Sequence, residues 1–199
     1  MKVAAIDFET ANGASQSACS IGCCIMEQGE ITWQNEILIR PHPRYGRFDA
    51  FNITIHHITP DMVADQPEWP AVYPQVKTCF EDAVVVAHNA AFDMRVLKSL
   101  DELYGIGMAD FMYLDTVQIA RFLYPFLANA KLDTVCSYLN MDLQHHQAGS
   151  DALGCLQIIN DLMGKYQTYD IQSLIALVGL VPHHYDRLDT HEGHHRWHR

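Results

Sequence analysis

Positive charge is scarce in this chain. Thirteen lysines and arginines stand against 24 aspartates and glutamates, a formal net charge of −11 over 199 residues. Broad, sequence-independent binding to nucleic acid draws its affinity from Lys and Arg on phosphates, so that balance argues against a duplex-coating protein. It leaves room for an enzyme whose bound cations supply positive charge at a single phosphodiester. Long apolar runs are also missing. None approaches the ~18 residues that a membrane span needs. In Met1-Lys2-Val3-Ala4-Ala5-Ile6-Asp7 an acid interrupts the apolar stretch too early for a signal peptide. A cytoplasmic protein with no membrane partner is therefore expected. The six cysteines (Cys19, Cys23, Cys24, Cys79, Cys136 and Cys155) include no Cys-x-x-Cys pair. A zinc ribbon and a redox motif are thus not indicated, and thiols in apolar stretches read as reduced, small hydrophobes.

What is present is a globular composition, 49% hydrophobic and 19% charged, at a length that suits one domain. Residues 3–8 read as a short buried strand. Residues 18–26 and 31–40 read as two more, joined by the tight turn Gln28-Gly29-Glu30 into an antiparallel meander. Residues 41–51, with two prolines and a glycine, read as loop. Thr59-Pro60 predicts a helix start, and residues 68–80 a helix. The β-branched run over 83–88 has the signature of a strand buried on both faces. Helical spacing then covers 91–104, stopping at Gly105. A short strand over 112–115 leads into a helix reaching about 123, and further helices are predicted over 132–139, 150–165 and 170–177. The expected fold class is α/β: a mixed sheet, antiparallel meander plus parallel strands, flanked by helices. The domain is expected over residues 1–180. Residues 181–199 hold half of the twelve histidines and read as a solvated His-rich tail.

Several carboxylates do not suit a core. Asp7 and Glu9 are two apart on the first strand, so both point to the same face at its C-terminal end. Two like charges there must neutralise or find a cation, and paired carboxylates suit a hard divalent metal. A solvated strand end is the plainer alternative. Asp93 and Asp151 each lie near a helix start, where acids commonly complement the helix dipole. His146 stands five residues before Asp151. Together, three separated segments present carboxylates at sheet edges and helix starts, with an imidazole beside one. Four carboxylates can hold two divalent ions for in-line phosphoryl displacement, and a neutral imidazole can take the proton of the attacking water.

Asp7-Phe8-Glu9-Thr10, then His88-Asn89-Ala90-Ala91-Phe92-Asp93, then His146-Gln147-Ala148-Gly149-Ser150-Asp151-Ala152 occur in that order. With Ile55-His56-His57-Ile58-Thr59, they make the chain resemble the DnaQ-like, DEDDh-type 3′→5′ exonucleases, over residues 3 to about 163. That family includes the epsilon proofreading subunit of bacterial DNA polymerase III and the RNase T-type enzymes. The resemblance implies a ribonuclease H-like sheet and two divalent cations, Mg²⁺ or Mn²⁺. It implies Asp7, Glu9, Asp93 and Asp151 as metal ligands, and His146, rather than His145, as general base. It also implies that Phe8, Thr10, His56, Asn89 and Phe92 line the pocket for the terminal nucleotide. His57 stands where the family usually has glycine.

The implied partner is a nucleic acid 3′ end, single-stranded or frayed DNA, with RNA as a second candidate. Arg40, Arg44, Arg47, Arg121 and Lys131 are weak candidates for phosphate contact. Gln172-Ser173-Leu174-Ile175-Ala176-Leu177 is similar to a clamp-binding peptide, but its helical spacing predicts that it packs. Three readings follow: a free-standing exonuclease, a polymerase-associated proofreading subunit, and a catalytically silent binding module. The intact carboxylates and His146 speak against the last. The short C-terminus, with no evident polymerase-binding segment, weakens the second.

Overall fold

The computed structural model describes residues 1–106, 110–141, 143, 144 and 146–185. A six-stranded mixed sheet forms its centre. The strands are β1 (Lys2–Thr10), β2 (Ala18–Glu27), β3 (Glu30–Leu38), β4 (Ala83–Ala87), β5 (Phe111–Asp115) and β6 (His183–Tyr185). Their spatial order is β3-β2-β1-β4-β5-β6. β1 pairs antiparallel with β2 and parallel with β4, so the meander and the parallel strands meet at β1. The helices are α1 (Ala50–His56), α2 (Pro60–Val63), α3 (Trp69–Val76), α4 (Ala90–Tyr104), α5 (Thr116–Leu123), α6 (Leu132–Tyr138), α7 (Ala148–Lys165) and α8 (Ile171–Val178). The mixed α/β sheet expected from the sequence is therefore present. No helix among the described residues is long and apolar enough to cross a membrane.

Strand alternation divides the core into two layers. On β1, Ala4, Ile6 and Phe8 face one side, where Trp69 and Val72 of α3 and Val96 and Leu97 of α4 cover them. Val3 and Ala5 face the other, under Ala152, Cys155, Leu156 and Ile159 of α7. Asp7 and Glu9 continue this second row, so the acidic end of β1 lies on the α7 side. There α7 approaches the sheet very closely. A Cβ on Gly22 would stand 1.9 Å from the Ala148 carbonyl oxygen, so only glycine admits the helix start at that point. All six cysteines are free and buried. Burial pushes the Cys24 and Cys136 thiols up to about 12 and about 11, which makes them poor nucleophiles.

Two elements differ from the sequence reading. Residues 50–56 are helical although Ile53, Thr54 and Ile55 are β-branched or stiff at χ1. Tertiary contacts hold the segment, since Asn52 Nδ2 donates to the Thr10 carbonyl at 2.8 Å. The second difference corrects part of the predicted tail. His183–Tyr185 pairs with β5 as an edge strand, and the Tyr185 ring stacks on Phe111 at 4.7 Å. Residues 186–199, with the other tail histidines, lie outside the described residues, as does His145. In α8, Leu174 is buried while Leu177 is 62% exposed, so the clamp-like sequence is packed along one face.

Candidate active site

Three chain segments deliver the acidic side chains. Asp7 and Glu9 come from the end of β1 and are half-buried. Asp93 comes from the first turn of α4, which begins as β4 ends, and is 1% exposed. Its Oδ1 accepts the Phe8 backbone N–H at 2.9 Å, a bond that ties the start of α4 to the end of β1. Asp151 comes from the first turn of α7 and is buried. Its Oδ2 accepts the His146 backbone N–H at 3.1 Å. His146 is exposed and sits in the left-handed region at φ 63°. One ligand atom from each of Glu9, His146 and Asp151 falls within 4.8 Å of the others.

The electrostatics of the cluster are those of like charges held together. Burial raises the Asp7 carboxyl well above the usual range, reinforced by the charges of Asp93, Asp151, Glu9 and Glu36. Burial, then Asp151 and Glu36, push the Glu9 carboxyl up to about 8. Burial also raises Asp93, although the Phe8 N–H and its own backbone pull the other way. A divalent cation relieves such repulsion, and a donor set of carboxylate oxygens with one imidazole fits a hard ion such as Mg²⁺ or Mn²⁺.

The substrate-lining candidates fall in different surroundings. Asn89 is exposed and left-handed at φ 67° just before α4, and its N–H donates to Asp115 Oδ1 at 3.0 Å. Phe92 is half-buried at the same helix start. Thr10 is buried, and its carbonyl accepts from Asn52 and from His56 Nε2 at 3.2 Å. His56 Nδ1 in turn accepts the Ile58 N–H at 3.0 Å, so both ring nitrogens brace the chain, and burial lowers the proton affinity of the ring. Phe8 departs from the expectation. Its ring is 2% exposed and packs on Trp69 with centroids 5.6 Å apart. Strand alternation turns Phe8 away from Asp7 and Glu9, so it offers the site its backbone and not its ring.

His57 closes α1 in the left-handed region at φ 62°, a conformation that explains a glycine at this place in the resembling family. Of the basic candidates, Arg40 pairs with Glu68 at 3.3 Å and Arg47 with Asp49 at 2.7 Å. Sequence reasoning gave no role to Asp115 or Glu36. Asp115 caps α5 by accepting the Val117 N–H at 2.8 Å, and through Asn89 it also holds the turn before α4. A helix-capping Asp before Thr116 was a legible signal. Glu36 lies in an exposed edge strand, and nothing local marks it.

The RNase T family, described as exonuclease, matches residues 4–159, and the chain belongs to it. Among curated relatives, the PolC-type DNA polymerase III of Listeria welshimeri is 39% identical over 129 residues, covering 64% of this chain and 9% of that protein. The PolC-type DNA polymerase III of Halalkalibacterium halodurans is 42% identical over 101 residues, covering 50% of this chain and 7% of that protein. The chain thus spans about a tenth or less of the length of the curated relatives it matches. Among solved structures, exonuclease X in complex with 5′ overhanging duplex DNA is 24% identical with a TM-score of 0.69, covering 89% of this chain and 99% of that one. The nuclease domain of 3′hExo, a DEDDh family member bound to rAMP, is 16% identical with a TM-score of 0.71, covering 82% and 92%. The fold is ribonuclease H-like.

Proposed function

We propose that this chain is a 3′→5′ exonuclease. It hydrolyses the terminal phosphodiester of a nucleic acid 3′ end, single-stranded or frayed DNA in preference to RNA, and releases nucleoside 5′-monophosphates. The observation that carries the reading is the convergence of Glu9, His146 and Asp151 within 4.8 Å, next to Asp7 and Asp93. Two divalent cations, Mg²⁺ or Mn²⁺, held by Asp7, Glu9, Asp93 and Asp151, would polarise the phosphodiester and activate the attacking water. His146 is the general base: its exposed ring stands beside Glu9 and Asp151 and takes the water proton at a ring nitrogen. The bond from phosphorus to the 3′ oxygen breaks, which leaves a 3′-hydroxyl on the shortened strand. Asn89 and Phe92 border the terminal nucleotide. Thr10 and His56 shape its seat through the brace between α1 and β1.

The preference for DNA is supported by the PolC-type DNA polymerase relatives and by the neighbour bound to duplex DNA. The same relatives favour a second reading, association with a polymerase as a proofreading activity. A digestion panel separates these readings. Single-stranded DNA, single-stranded RNA and mismatched primer duplexes, labelled at the 5′ end, are incubated with Mg²⁺ or Mn²⁺. A descending ladder with nucleoside 5′-monophosphate products, blocked by chelator and by a 3′-phosphate, is expected. Early release of the 5′-labelled mononucleotide would refute the polarity. Activity confined to mismatched primer ends with polymerase present would favour the proofreading reading.

A further inference from the structure

We infer that Glu36 is a positioning residue that fixes the start of α7, so that Asp151 and His146 face Glu9 and Asp7. The inference rests on the exonuclease reading above. Cross-strand register places Asp7 opposite Gly22 and Gly22 opposite Glu36, so the two acids share the α7 face with only a glycine between them. The first turn of α7 sits over that glycine, because no side chain there would clear the Ala148 carbonyl.

The first amides of a helix have no intrahelical partner, and Gln147, at the N-cap, supplies no side-chain bond. The Gly149 N–H instead donates to Glu36 Oε2 at 3.0 Å, across 113 residues of sequence. Ser20 Oγ donates to the other carboxylate oxygen at 3.3 Å and orients it. Gln34, also on β3, donates to the Gly149 carbonyl at 3.4 Å, so both polar groups of that peptide are tied to one strand. A carboxylate at a helix N-terminus makes a charge-assisted bond and complements the helix dipole. It also adds negative charge beside an acidic cluster, a cost a neutral cap would avoid. Cations in the cluster offset that cost, so Glu36 ties the geometry of α7 to metal binding. Partners that orient metal ligands in this way commonly contribute 10–100-fold in affinity or activity.

Glu36→Ala and Glu36→Gln test this, with Asp7→Asn as reference. Mn²⁺ binding by electron paramagnetic resonance, kcat and KM on an oligonucleotide, and Tm are measured for each. Glu36→Ala is expected to weaken Mn²⁺ binding and lower kcat by roughly 10–100-fold, with KM unchanged. Glu36→Gln keeps an acceptor for the Gly149 N–H, so it should recover most of kcat while Mn²⁺ binding stays weakened. A Glu36→Ala protein that loses only Tm, with kcat and Mn²⁺ binding as in the parent, overturns the inference. So does a Glu36→Gln protein as impaired in kcat as Glu36→Ala. If the parent hydrolyses nothing, the exonuclease reading fails, and the Mn²⁺ readout still decides the role of Glu36.

Discussion

Replacing Glu9 by glutamine should stabilise the metal-free protein while disabling it. The side chain keeps its shape and loses its charge. In the folded chain the Glu9 carboxyl is raised from an ordinary 4.5 to about 8, by burial and by the charges of Asp151 and Glu36. At about 1.4 kcal/mol per tenfold change in proton affinity, ionising Glu9 costs roughly 5 kcal/mol more in the folded chain than in the unfolded one. Below about pH 4.5 both states hold the proton and nothing is lost. As pH rises from 4.5 to 8 the unfolded chain ionises first, and stability falls throughout that window. Glutamine removes this dependence. Glu9→Gln should therefore match the parent near pH 4.5 and exceed it by up to about 4 kcal/mol at pH 8. For a chain of this size that corresponds to about 10 °C in Tm. Scanning calorimetry in chelator at pH 5 and pH 8 reads it directly. Mn²⁺ at pH 8 should then raise the Tm of the parent and leave Glu9→Gln nearly unmoved, because ligand binding stabilises only the state that binds. A Glu9→Gln protein no more stable than the parent at pH 8, or a gap that is the same at both pH values, would show that the carboxylates do not strain one another.

His146→Ala should lower turnover by about 10²–10⁴-fold, the usual contribution of a positioned base. Mn²⁺ binding should largely survive, since the carboxylates remain; its loss would make His146 a ligand instead. His145→Ala, one residue off the motif spacing, is the control and should cost much less; equal loss in both variants would reassign the base. Gly22→Ala places a methyl 1.9 Å from a backbone oxygen of α7, so it should destabilise by more than the about 1–3 kcal/mol of ordinary overpacking and reduce activity with it. A parent-like urea midpoint for that variant would mean that α7 does not rest on β2 as described.

The fold was legible where hydrophobic period and turn chemistry coincide. The run over 83–88, the stop at Gly105 and the turn at Gly29 each carried their own signal, and all three hold. Helix α1 was hidden because Ile53 and Ile55 argue locally against a helix that tertiary contacts, those with Thr10 among them, stabilise. Strand β6 was hidden because three residues in a histidine-rich stretch give no period at all. At the site, strand alternation alone put Asp7 and Glu9 on one face. The same alternation, carried one step further, turns the Phe8 ring into the core. Glu36 was unreadable for a different reason. Its partners are 16 and 113 residues away, and only the β2–β3 register brings them together.

The central claim is that Asp7, Glu9, Asp93 and Asp151 act as one cation-holding unit that drives hydrolysis. Turnover of Asp7→Asn on a 5′-labelled oligonucleotide in saturating Mn²⁺, beside the parent with and without chelator, tests it most directly. Burial raises the Asp7 carboxyl, and the charges of Asp93, Asp151 and Glu9 add to it, so Asp7 is coupled to every other acid of the proposed unit. The account predicts that the parent is active only with metal, and that Asp7→Asn is inactive while its Tm in chelator equals or exceeds that of the parent. Near-normal turnover in Asp7→Asn, with a clean metal-free control, would contradict it.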